Sequence, residues 1–136
     1  QNIDEEWCLV DSGYEYQNGI NEIWMSPSGN LYKTNYDGVY KWKNGNWHSI
    51  SEGLEKKYNY IDVFGIHGTS DENIFITARQ DGYRVFHYNG SDWYEYKQLH
   101  TNSAAYFNIF TIEGEVFVTG YTTDGFPNKT VIWHGK

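Results

Sequence analysis

One run of residues recurs three times along the chain: "NLYKTNYDG" from Asn30 to Gly38, "NIFITARQDG" from Asn73 to Gly82 and "EVFVTGYTTDG" from Glu115 to Gly125. Each places an aromatic side chain ahead of a threonine (Thr34, Thr77, Thr119) and ends on Asp-Gly. Self-similarity at a period of roughly 40 residues fixes architecture first, because each unit buries its apolar face only by stacking on its neighbours.

The flanks repeat as well. Upstream stand "INEIWMS" from Ile20, "IDVFGIH" from Ile61 and "FNIFTIE" from Phe107, each with Asn or Asp in second place. Downstream, Val39, Val85 and Val131 open "VYKW", "VFHY" and "VIWH" at intervals of 46 residues. A fourth segment follows twice, "NWHSI" at Trp47 and "DWYEY" at Trp93, and its third copy, "EEWCLV" at Trp7, stands at the other end of the chain. Alternating apolar and polar residues predict strands. Asn44-Gly45 and Asn89-Gly90 suit type I′ hairpins, and Asp37-Gly38, Asp81-Gly82 and Asp124-Gly125 mark the preceding turns. "SEGLEKKY" from Ser51 to Tyr58 is read as a turn.

The expected fold is therefore all-β: a single domain, 1–136, of three four-stranded antiparallel units. They span 20–50, 61–96 and 107–136, the last completed by a strand at 5–10. The 6 Trp, 13 Tyr and 7 Phe among 136 residues suit pleated, half-buried surfaces.

Such units, with the outermost strand exchanged between the termini, resemble the blades of a β-propeller. "LYKTNYDGVYKWKNGNWHSI" is similar to the repeats of tectonin- and tachylectin-type lectins and of secreted bacterial propellers. The resemblance implies that "EEWCLV" is a closing "velcro" strand, which removes exposed sheet edges. Propellers close with about four to eight blades, so three call for completion. Two copies would make a six-bladed homodimer, or the chain is part of a longer propeller.

In this architecture the loops joining strand two to three and strand four to the next strand one gather on one face, where ligands bind. Candidate ligand-binding residues there are Tyr36, Asp37, Arg79, Asp81, Tyr83, Tyr121 and Asp124, since aromatic faces stack on sugar CH groups while carboxylate and guanidinium bond hydroxyls. The Asp residues also suit their turns, and Trp7, Trp47 and Trp93, one per unit, suit packing between units better than sugar platforms.

A net charge of −8 without a Lys/Arg cluster argues against nucleic acid. Cys8 is the single thiol, which excludes an intrachain disulfide, and no Cys/His set has metal-ligand spacing. No apolar run reaches the roughly 20 residues of a membrane span. The opening Gln1 reads as a processed, trimmed or engineered start and, with the Tyr/Asn/Trp-rich composition, an extracellular setting is expected; no signal peptide is in the chain. No nucleophile motif or distinctive carboxylate pair is present. The expected function is non-enzymatic recognition of glycan or another cell-surface ligand, without cofactor. The alternatives are a protein-interaction or structural propeller and, third, an extracellular glycosidase or lyase.

Overall fold

The computed structural model of the protein describes residues 19–136. The first sheet holds β1 (Glu22–Met25), β2 (Leu31–Asn35), β3 (Gly38–Lys43) and β4 (Asn46–Ser49). After the helix α1 (Glu52–Tyr58), the second sheet holds β5 (Asp62–Ser70), β6 (Asn73–Arg79), β7 (Tyr83–Tyr88) and β8 (Trp93–Glu95). The third holds β9 (Ala104–Ile112), β10 (Glu115–Thr122) and β11 (Thr130–Gly135). All three are antiparallel, with neighbouring strands hydrogen-bonded in chain order. The fold is all-β and built of repeated, blade-like sheets; the expected strand at 5–10, with Trp7, lies outside the described residues.

The sheets stack through two apolar layers. Trp24, Tyr32, Val39, Ile66, Ile76 and Phe86 fill the first, between the first and second sheets. Phe75, Val85, Tyr106, Ile109 and Val118 fill the next, between the second and third. β6 shows why its sequence is nearly continuous in apolar residues: Ile74 and Ile76 point one way and Phe75 the other, so both faces are covered. Each such side chain contributes about 1.5–3 kcal/mol by leaving water.

The repeated threonine has a specific task. Thr34 Oγ1 donates to the Phe64 carbonyl at 3.2 Å, and Thr77 Oγ1 donates to the Phe107 carbonyl at 3.3 Å, each time in the next sheet. Both acceptors lie where strand pairing slips by a residue: Phe64 between Val63 and Gly65, Phe107 opposite the Thr119/Gly120 step. A bulge turns a carbonyl out of its own ladder and makes it available to a neighbour. The register places Glu22, Gly65 and Asn108 opposite the three threonines, so of the Asn/Asp positions aligned from sequence Asn108 holds this place, and Asn21 and Asp62 do not. β11 differs similarly: Ile132, not Val131, stands opposite Thr119 as Val39 and Val85 stand opposite Thr34 and Thr77. The long loop before β11 absorbs the extra residue.

A carboxylate clamps the outer end of the first junction. Tyr32 Oη, Ser28 Oγ and Asn30 Nδ2 all donate to Asp71, at 2.7, 2.6 and 2.7 Å. Burial opposes ionisation of Asp71, but these bonds outweigh it and hold the carboxyl below its ordinary range. At the second junction the Thr111 N–H donates to His67 Nδ1 at 3.2 Å. That nitrogen must therefore be unprotonated, and burial pushes the His67 ring down from 6.5. The stabilisation is complete above the unfolded value and is lost as pH falls through the lower folded one. The thermal midpoint should accordingly drop below about pH 6.5, and His67→Gln, which cannot titrate, should flatten that part of the profile. An unchanged slope would place the acid sensitivity elsewhere.

Two local expectations need correction. Asn44 and Gly45 both have positive φ (53° and 80°), as a type I′ turn requires, but Asn89 does not, and the second hairpin closes through a wider loop. There Asn89 Oδ1 accepts from the Ser91 and Asp92 N–H groups at 3.0 and 2.8 Å, so the side chain takes over the turn. Residues 52–58 form a helix rather than a turn, because Leu54 is buried against the first layer and Asn59 ends the helix in the left-handed region.

Every extensive contact between sheets joins chain neighbours. The two outer faces thus present what the internal junctions bury. Ile66 is 1 % exposed and Ile109 4 %, but Ile23, at the equivalent place in β1, is 53 % exposed. Val39 and Val85 are 0 % and 1 % exposed, whereas Ile132 is 64 %.

Candidate functional site

The turns between the second and third strands of each sheet lie at one end of the stack, together with the entries to β5 and β9. In the first turn Asn35 Oδ1 accepts from the Asp37 and Gly38 N–H groups at 3.2 and 3.0 Å, leaving Tyr36 exposed. Tyr40 Oη donates to Asp37 Oδ1 at 2.9 Å, and burial together with that carboxylate raises the Tyr40 phenol above its ordinary range.

Beside this turn stands Tyr60, whose phenol is raised by burial and sits in the field of Asp62, Arg79, Tyr36 and Asp37. Arg79, at the end of β6, bridges to Asp62 Oδ2 at 3.2 Å and lies 5.8 Å from the Phe64 ring centre. The Arg79 side chain is half exposed while the Asp62 side chain is almost wholly covered. Burial pushes the Asp62 carboxyl up against the opposing pull of Arg79, and its Oδ1 has no hydrogen-bond partner among the described residues.

From Phe64 an aromatic row continues inward across the second and third sheets. Phe64 stacks on Tyr83 (5.9 Å, 24°) and meets Phe107 edge-on (5.4 Å, 64°). Phe107 in turn stacks on Tyr121 (5.5 Å, 24°). The Arg79 guanidinium, the Asp37 carboxylate, phenols and ring faces thus share one surface, with Asp62 covered behind Arg79: flat apolar faces for stacking, flanked by donors and acceptors.

Five of the seven sequence-predicted residues meet here. Tyr36, Asp37 and Arg79 gather around Tyr60, and Tyr83 and Tyr121 around Phe64 and Phe107. Asp81 and Asp124 do not join them. Asp81 has φ 49° and contributes its backbone carbonyl, 2.8 Å from His100 Nε2, which is a turn-holding role. Asp124 is exposed in the loop before β11 and makes no hydrogen bond among the described residues. Sequence reasoning missed Asp62, Phe64 and Phe107. The Phe-Gly pair in "IDVFGIH" was the available signal, since Gly inside a strand often marks a bulge.

Trp93 packs at the junction, with its Nε1 donating to the Ile50 carbonyl of the first sheet at 2.8 Å. Trp47 meets Trp42 across the hairpin at 5.0 Å, under the Lys33 ammonium. Among the described residues no group of three or more His, Cys, Asp or Glu is placed to hold a metal ion, and no helix is long and apolar enough to cross a membrane.

No family model matches the chain, and no curated protein matches it either.

Proposed function

We propose that the chain is a non-enzymatic recognition module: a β-propeller of three blades per chain, completed by self-association, that binds glycan through the surface around Arg79. The observation that carries the reading is the continuity of that surface. Exposed Tyr36 and Tyr121 stand at its two ends, with Arg79, held from behind by the covered Asp62, between. Self-association is supported by outer faces that expose, at equivalent positions, the residues the internal junctions bury. A symmetric ring would carry two copies of the surface, and paired weak sites gain avidity.

A glycan array on the purified protein tests this. Saturable binding to a defined set of glycans should be weakened about tenfold or more by Tyr36→Ala or Tyr121→Ala, in keeping with the loss of one stacking platform. Both side chains are exposed enough for the variants to fold. A blank array, or binding indifferent to both substitutions, sinks the glycan reading.

A further inference from the structure

Between the second and third sheets runs an open groove of about 490 Å³, walled by Phe75, Val85, Tyr96, Leu99, Val116 and Trp133 among others. The matching place between the first and second sheets is occupied. There Trp93 of β8 lies against Ile50 and Tyr88, its indole N–H bonded to the Ile50 carbonyl. Register makes the two places equivalent. The Ile50 N–H bonds to the Val39 carbonyl and the Tyr96 N–H to the Val85 carbonyl, both at 2.9 Å, so Tyr96 is the counterpart of Ile50. Tyr88, opposite Trp93, corresponds to Gly135 in β11. The groove is therefore the seat of a tryptophan on a fourth strand beside β11, and Gly135, with no side chain, leaves it room.

We propose that this seat is filled by Trp7 of a second copy of the chain, whose residues 5–10 pair with β11. The inference rests on the reading of the chain as a self-completing ring. Residues 5–10 carry the Trp-centred pattern of β4 and β8, here as "EEWCLV". The choice of a second copy follows from connection lengths. β4 runs on to β5 through residues 50–61, and β8 to β9 through 96–103. Residues 11–21 join the 5–10 segment to β1 at a length between those two. A connection of that length makes 5–10 the fourth strand of the sheet that precedes the first one, and within one chain the first and third sheets share no extensive contact. The sheet preceding the first is thus the third sheet of another molecule. Apolar walls suit the indole, and the Tyr96 carbonyl, which already accepts from Leu99 N–H at 2.9 Å, keeps a second lone pair for its N–H.

The native thiol supplies the test. With Trp7 opposite Gly135, the next pair across the strands is Cys8 opposite His134, and cross-strand neighbours lie close enough for a disulfide to form. His134 is partly exposed and its bonds are to Glu115 at the surface, so His134→Cys should fold. In the full chain carrying that substitution, mild oxidation should give a covalent dimer of twice 16.0 kDa. Peptide mapping should join Cys8 to position 134. Adding Trp7→Ala should slow the cross-link on the order of tenfold or more, as removal of a buried aromatic anchor does. Asp124→Cys, on an exposed loop, reports random collision. A monomer with both thiols joined within one chain overturns the second copy. Free thiols, or a rate no faster than that of Asp124→Cys, overturn the pairing altogether, and a native chain that stays at 16.0 kDa by light scattering at high concentration overturns the second copy. Loss of glycan binding with the cross-link intact sinks the recognition reading alone, and the converse outcome sinks only this one.

Discussion

Arg84→Ala should cost about 3–5 kcal/mol of folding stability, the usual penalty for leaving one member of a buried ion pair alone. Arg84 in β7 and Glu95 in β8 have side chains only 10 % and 8 % exposed, and the guanidinium Nη1 meets Glu95 Oε1 directly. Arg84 Nε also donates to the Gln80 carbonyl at 2.8 Å, and Tyr58 Oη donates to Glu95 Oε2 at 2.8 Å. The pair therefore ties the helix α1 to the second sheet as well as joining two strands within it. Burial by itself would raise the Glu95 carboxyl, but the hydrogen bonds from Tyr58 and Arg84 outweigh it and hold the group below its ordinary range. A depressed folded value means that this stabilisation is present above the unfolded carboxylate range and is lost as pH falls through the folded one. Denaturant unfolding of Arg84→Ala, Glu95→Gln and the double variant should show a double loss smaller than the sum of the singles, since removing both charges leaves neither stranded. Strict additivity would mean that the two groups do not act as a pair.

The architecture was legible in the sequence because a repeat states its own alignment. Thr34 and Thr77, picked out only as recurring letters, prove to be the bonds that join one sheet to the next. The strand-one alignment was less legible, because the bulges at Phe64 and Phe107 add a residue to one strand without any change in its apolar pattern. The same insertion turns those two rings toward the surface that carries Tyr83 and Tyr121. Asp71 illustrates the opposite limit. Its three donors come from residues 28–32, some 40 positions upstream, and nothing in "TSDEN" distinguishes a clamp from a solvated turn acid. In the candidate site, exposed aromatic residues beside Asp-Gly turns were readable. The ion pair of Asp62 with Arg79 was not, since it closes across the β5–β6 hairpin through a register that only the fold defines.

Gly120→Ala should be as damaging as a core deletion although it adds a single methyl group. A Cβ at Gly120 would lie 1.7 Å from the Ala105 carbonyl oxygen and 2.8 Å from its carbon, both backbone atoms of the paired strand β9. A side chain could rotate away; a strand held on both sides by the ladder and by Tyr106 and Ile109 in the second apolar layer cannot yield without cost. Overpacking of this kind costs about 1–3 kcal/mol where side chains absorb it, and the upper end or beyond is expected where backbone must move. Gly125→Ala is the control, because a Cβ there meets nothing within 4 Å, and it should stay within about 0.5 kcal/mol of the parent. The damage should also reach the site. Gly120 faces Tyr106 across the bulge that holds Phe107, so displacing β9 moves the carbonyl that Thr77 bonds and the ring on which Tyr121 stacks. A Gly120→Ala protein with a parental thermal midpoint would mean that β9 is free to shift, and the bulged Phe107 could not then be the fixed point from which the aromatic row is built.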